Sequence, residues 1–203
     1  MKLGSVTASP APDISFSPDN LAECRRTSDV SLIRYCENLI FKDSNFIQFL
    51  RFNGAIDLVN STDSGRILLN CIETLLQFKS EKLVVYLTSS ELATIPHRVK
   101  DSGNGRGTGA DLHCHFDLAD QRNSEGLSEK QFHASVLYHE LVHVLHYLQG
   151  ECIHIIPADS PESIRYPYWE EEARTIGFDP FTSETISENT FRAEIGVPLR
   201  IHW

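Results

Sequence analysis

Residues 128–150 read SEKQFHASVLYHELVHVLHYLQG. Ser128, followed three residues later by Gln131, makes a capping box, in which two side chains each bond the other's backbone N–H at a helix start. No Pro or Gly interrupts Glu129 to Gln149, and Gly150 follows where a left-handed residue closes a helix. Apolar residues recur at Phe132, Val136, Leu137, Leu141, Val144, Leu145 and Leu148, a helical period with a broad buried face. One long core helix is therefore expected. In its middle stands His139-Glu140-Leu141-Val142-His143, the pattern HExxH. Positions four apart lie one above the other on a helix, with Cβ atoms about 6 Å apart. That spacing lets two imidazoles bind one zinc ion at roughly 2.0–2.1 Å each. Glu140, one position on, leans over the metal and acts on its water. The plainer reading is a core helix with satisfied histidines. It is weakened because two His and a Glu buried without a metal leave costly polar groups.

The bulk properties bound what such a helix can serve. A chain of 203 residues supports one domain with a real core. Hydrophobic content of 41% is ordinary for a soluble globular protein, so a membrane protein is not indicated. A net charge of −10 argues against nucleic acid and anionic membrane surfaces and fits a partner that is itself protein. No apolar run approaches the roughly 18 residues of a membrane span. The five cysteines, Cys24, Cys36, Cys71, Cys114 and Cys152, are odd in number and form no CxxC. They read as buried reduced thiols in a reducing compartment, not as a disulfide framework. Met1 to Asn20 lacks the apolar core of a Sec signal peptide.

Working outward, residues 1–19 are rich in Ser, Pro, Thr and Ala and read as disordered, either a plain terminus or an unfolded export signal. Residues 20–203 are expected to form a single domain, with no internal repeat or linker. A short strand is expected near Asn38–Lys42. A helix capped by Asp43 or Ser44 follows, then a second opened by Asp63 or Ser64. Leu83–Leu87 reads as a buried strand and Asp111–Asp117 as another. Between them residues 101–110, with four glycines, read as a flexible loop that moves on substrate entry. It is no phosphate loop, since the spacing and the lysine are absent. After the long helix come an irregular stretch over 151–168 and short helices near 170–176 and 188–195. The Asp111–Asp117 strand is assigned the edge position above the long helix, where an extended peptide adds as a further strand. His113 and His115 share one face of it, which leaves a second metal site there as a minor alternative.

A catalytic zinc needs three protein ligands and an open position. A third histidine six residues after His143 is ruled out, because Gln149 stands there. His146 shares the stripe of His143 but cannot reach the same ion, and is read as orienting or packing against a ligand. The remaining solution is a glutamate on the next helix, opened by Glu170-Glu171-Glu172. Acidic residues also suit a helix N-terminus for dipole reasons, but three in a row exceed that need. Adjacent residues point about 100° apart, so only one faces the ion: Glu172, directly before the Ala-Arg segment that leads to Gly177, is taken first and Glu171 as the alternative. Glu162 and Asp159 are weaker candidates in a Ser/Pro loop. Tyr168, His154 and Arg192 are unranked candidates to stabilise an oxyanion.

Three blocks occur in order: HELVHVLH at 139–146, EEARTIGF at 171–178, and SENTFRAEIGVPLR at 187–200, with an upstream echo in Ser64-Gly65 and Leu68-Leu69. This pattern resembles the zinc metallopeptidase effectors injected by type III secretion systems, the family that includes NleD, HopH and XopG. The likeness covers roughly residues 60–203, and the third block is far more specific than HExxH. It departs at the terminus, where Trp203 stands in place of the family's tyrosine. The resemblance implies a zinc endopeptidase that acts on host cytosolic signalling proteins, protein kinases among them. It also implies a secretion signal in the N-terminal region and contact with the secretion machinery or a chaperone. Arg192 and Arg200 in the third block read as part of a structural clamp or as anchors for a carboxylate, from a core Glu or the substrate backbone.

The expected whole is a compact α+β, zincin-like metallopeptidase domain with a small sheet packed on the HExxH helix. His139, His143 and Glu172 bind zinc and Glu140 is the general base. The competing readings are a non-catalytic module that binds a host protein around a structural zinc, and the same protease delivered as a toxin domain. Protein purified without added metal is expected to carry about one zinc per chain by elemental analysis. Content well below half, with no uptake on titration, contradicts the reading.

Overall fold

The computed structural model describes residues 38–42, 46–87, 92–153 and 169–202. The expectations placed on 1–19, on the caps Asp43 and Ser44, on the stretch after 153 with His154, Asp159, Glu162 and Tyr168, and on Trp203 lie outside the described residues.

Among the described residues, four short strands and six helices give a mixed α+β domain: β1 (Leu39–Lys42), α1 (Phe46–Asn60), α2 (Asp63–Lys79), β2 (Leu83–Tyr86), β3 (Ala93–Pro96), β4 (Ala110–His113), α3 (Phe116–Arg122), α4 (Glu129–Gln149), α5 (Trp169–Ile176) and α6 (Glu188–Glu194). No described helix is long and apolar enough to cross a membrane.

The long helix α4 organises the domain. Ser128 caps it with the reciprocal Gln131 bond, and Gly150 closes it at φ 74°. Sixteen of its 21 residues are buried, so no single face meets solvent. It packs against α1, α2, α3, α5, α6 and the strands β3 and β4. Leu137, Val142, Val144 and Leu148 are fully buried, and each contributes about 1.5–3 kcal/mol relative to exposure. These apolar anchors hold the polar residues between them in fixed positions.

The sheet runs in the order β1-β2-β4-β3, with β1, β2 and β4 parallel and β3 antiparallel to β4. Two sequence expectations change here. The strand beginning at Asp111 is shorter than expected and internal, because β2 and β3 flank it. The edge beside α4 belongs to β3, Ala93–Pro96. Residues past His113 turn away into α3, whose N-terminus His115 caps by accepting from Leu118 N. His113 instead stacks on Tyr86 at 4.7 Å, so His113 and His115 do not form a common site.

The glycine-rich segment is tied down. Gly105 N donates to Gly150 O, Thr108 N to Tyr147 O, and Lys79 Nζ to Arg106 O at 2.5 Å. A Cβ on Gly107 (φ 76°) would lie 1.9 Å from Leu148 O. The glycines permit close packing on the end of α4, which is a different use from mobility. Asp63 opens α2 as expected, with Thr62 as its cap. Ser64 is occupied elsewhere, donating from N and Oγ to Glu194 on α6.

Gly107→Ala is therefore expected to lower stability by roughly 2 kcal/mol or more. Gly54, inside α1, behaves oppositely, because a Cβ added there would meet no atom within 4 Å. Gly54→Ala is expected to raise stability by about 0.5–1 kcal/mol. Urea unfolding of the two variants measures both signs.

Candidate metal centre and active site

α4 presents His139, His143 and His146 to carboxylates of α5 and α6 and Glu140 to strand β3, and all four are buried. α5 brings two adjacent carboxylates to one imidazole. Glu172 Oε1 lies 3.1 Å from His143 Nε2, and Glu172 Oε2 lies 3.2 Å from His139 Nε2. The two Nε2 atoms are themselves 3.2 Å apart. One donor atom from each of His139, His143 and Glu172 thus converges on a common point, and these three form a group able to hold a metal ion.

Glu171 is on the other side of the same ring. Its Oε1 accepts from His143 Nδ1 at 3.2 Å and from His146 Nδ1 at 2.5 Å, and its Oε2 accepts from Ile153 N at 2.9 Å. It is 1% exposed. The roughly 100° between neighbouring helix positions lets Glu171 and Glu172 grip the two nitrogens of one imidazole from opposite sides. His146 joins this arrangement through Glu171, as a residue that holds the holder of His143.

His139 has a matching support. Its Nδ1 donates to Glu188 Oε2 at 2.9 Å. Glu188, the first residue of α6, is 3% exposed and bracketed by two arginines. Arg192 Nη1 donates to Glu188 Oε1 at 3.1 Å and Arg200 Nη1 to Glu188 Oε2 at 3.0 Å. Arg192 also donates to Pro198 O at 2.7 Å and pairs with Glu125. At 1% exposure, with each of its three nitrogens bonded to a protein acceptor, it is held in place as a structural group. Its position explains the clamp reading: the carboxylate it anchors is a core glutamate. Asn189 fixes Arg200 by a pair of backbone bonds, from Arg200 N at 2.7 Å and to Arg200 O at 3.1 Å.

Glu188 lies at His139 Nδ1 and Glu171 at His143 Nδ1, while both Nε2 atoms face Glu172. These carboxylates favour positive charge on both rings, the charge that a metal ion would supply in place of the Nε2 protons. Burial pulls His139 down, yet the Glu172 and Glu188 carboxylates outweigh it and push the imidazole up to about 10. Burial likewise opposes the charge on His143, which Glu171 and Glu172 push up to about 9. At His146 burial wins and the ring is pulled down. Burial would raise Glu188, but His139 and the two arginines hold it down at about 2. Burial would also raise Glu171 and Glu172, but their histidine partners hold both far below the usual carboxylate range. The pocket thus favours positive charge at its centre.

Glu140 Oε2 accepts from Thr94 Oγ1 of strand β3 at 2.7 Å. Glu140 borders two neighbouring pockets. The one beside His139, of about 760 Å³, runs along Phe132, Val136 and the tail residues Leu199 to His202. The one beside His143, of about 330 Å³, runs along β3 and Tyr147. Glu140, Glu172 and Leu92 line both. Asp120, Glu129 and His133 also cluster, but Arg51 reaches both acidic members of that corner and supplies its positive charge.

Sequence reading leaves Glu188 and Thr94 without a role. Glu188 follows a capping serine, where the helix dipole already accounts for an acid. The one available signal is Arg192 four residues on, a helical ion-pair spacing. Thr94 carries no signal, since it is one residue of a four-residue strand.

The supports predict a graded response to charge-neutral substitution. Glu172→Gln is expected to weaken metal affinity most. Glu171→Gln and Glu188→Gln are expected to weaken it about 10–100-fold, because each orients a ligand. Exposed Glu170→Gln is expected to leave it unchanged. Competition with a chelator measures the order, and equal affinities in Glu171→Gln and Glu172→Gln remove α5 from the site.

No curated protein and no solved structure matches this chain. The Peptidase_M91 family model, described as an effector protein, matches residues 44–203. That span holds the whole of the site described above, from the strand that touches Glu140 to the arginine that holds Glu188. The chain belongs to the Peptidase_M91 family of effector proteins.

Proposed function

We propose that this peptidase is a zinc-dependent endopeptidase of zincin-like architecture, secreted as an effector and acting on proteins in the host cell cytosol. One observation carries the reading. His139 Nε2, His143 Nε2 and the Glu172 carboxylate lie 3.1–3.2 Å from one another. A tetrahedron with bonds of about 2.0–2.1 Å has edges of roughly 3.3 Å, close to these separations, and the carboxylate faces each imidazole through a different oxygen. Two imidazoles and one carboxylate, with no thiolate among them, are a catalytic donor set. A structural zinc is closed by four protein ligands, whereas here three donors line an accessible cleft. That weighs against a non-catalytic module.

A zinc ion held by these residues would supply a Lewis acid that polarises the scissile carbonyl and lowers the pKa of a coordinated water to about 7. The chain's own groups do the rest. Glu140 offers Oε1, the oxygen not bonded to Thr94, to the attacking water and takes its proton. The same oxygen then returns the proton to the leaving amine nitrogen, so the carboxylate ends as it began. Glu171 and Glu188 hold the two imidazoles through their Nδ1 protons throughout. Strand β3, the sheet edge beside Glu140, offers its main chain to an extended peptide.

Membership of an effector family supports delivery into a host cell, with a secretion signal in the N-terminal region and a type III route. Host signalling proteins, including protein kinases, are the proposed substrate class, on the resemblance of the three sequence blocks. Incubating the purified protein with host-cell lysate and comparing new N-terminal peptides by mass spectrometry tests the activity. Glu140→Ala is expected to keep its metal and to lose about 10²-fold or more in rate. Loss of metal in that variant would show that Glu140 is a ligand and not the base.

A further inference from the structure

The proposed catalytic glutamate has a single side-chain hydrogen-bond partner among the described residues, and it comes from the sheet. Thr94 Oγ1 lies 2.7 Å from Glu140 Oε2 and 3.1 Å from Glu140 O. A hydroxyl has one proton to give, and the shorter contact to a charged acceptor takes it. Glu140 is 8% exposed, so a carboxylate oxygen left without a donor there would carry a desolvation cost. The bond also removes an ambiguity. The terminal torsion of a glutamate is broad, and either oxygen can rotate toward the metal site. With Oε2 fastened to Thr94, Oε1 is the oxygen left for the cleft.

The backbone of Thr94 faces the cleft as well. In an antiparallel ladder, hydrogen-bonded and non-bonded pairs alternate. His97 N donates to Gly109 O at 2.9 Å, which makes the 97–109 pair a bonded one. In the register that pairs Thr94 with Leu112, the bonded pairs are then 93–113 and 95–111. Ala110 N and Cys114 N both point to β2, in agreement with that parity. The N–H and C=O of Thr94 therefore point away from β4, to the side of the sheet that no other described strand covers. Its carbonyl accepts from the Tyr147 hydroxyl at 3.4 Å, one turn past His143 on α4, and keeps its second lone pair. Pro96, the next residue of that parity, has no N–H to offer.

We propose that Thr94 is a positioning residue for the peptidase reaction: its hydroxyl orients Glu140 while its outward-facing main chain receives the peptide being cut. One residue thereby links the strand on which substrate docks to the oxygen that takes the proton. The assignment rests on the peptidase reading above. Thr94 itself touches no reacting atom, and its effect passes through Glu140.

The test uses the whole chain and a peptide spanning a cleavage site found in the host-lysate experiment. Thr94→Val keeps the shape and removes the donor. It is expected to lower kcat about 10–100-fold with KM and metal content within about twofold of wild type. Thr94→Ser, which restores the hydroxyl, is expected to recover most of the rate. Thr94→Val added to Glu140→Ala is expected to cause no further loss of the residual rate, because the group it orients is gone. An active wild type with Thr94→Val unchanged in kcat overturns the inference alone. So does an equal loss in Thr94→Ser, or a full further loss in the double variant. A wild type that cleaves nothing overturns the peptidase reading and this inference with it.

Discussion

The whole site depends on the electrostatic problem posed by α4. Two imidazoles, a glutamate and a third histidine are buried within eight residues of one helix. Polar groups at that depth must be matched partner for partner. The match is made from two short helices. α5 sends Glu171 and Glu172 to His143, and α6 sends Glu188 to His139. Each Nδ1 meets a carboxylate, and both Nε2 atoms meet the shared Glu172. The remaining demand is for positive charge at one point, and the geometry of that point suits a divalent ion.

The same demand gives the third sequence block a physical meaning. Its residues are distant from HExxH along the chain but central to its support. Ser187 caps α6, Glu188 orients His139, Arg192 and Arg200 neutralise Glu188, and Glu194 holds the start of α2 through Ser64. A buried carboxylate that supports a cationic centre needs its own counter-charges, or its desolvation would undo the benefit. Arg192, with its planar fork divided among Glu188, Glu125 and a carbonyl, meets that need in a way lysine cannot.

Much of this is legible in the residues themselves. The boundaries of α4 follow from Ser128, Gln131 and Gly150, since caps are local chemistry. The pair of candidates Glu171 and Glu172 follows from helical spacing: Glu172 gathers with His139 and His143, Glu171 with His143 and His146, and each group could hold a metal ion. What escapes the sequence is non-local. Whether β4 is an edge or an interior strand depends on which chain segments flank it, and β3 is four residues with a proline and no apolar alternation. The glycines at 103–109 suit mobility and tight packing equally well by composition, and only the nearness of Leu148 O decides between them. Glu188 reads as a helix-dipole residue because that local explanation is already sufficient.

The most direct test of the account is X-ray absorption at the zinc edge of the purified protein. The account predicts a shell of light atoms alone, nitrogen and oxygen at about 2.0–2.1 Å, with the outer-shell scattering of two imidazoles. A sulfur atom at about 2.3 Å, or the scattering of three imidazoles, would contradict the assignment of His139, His143 and Glu172 as the centre of the site.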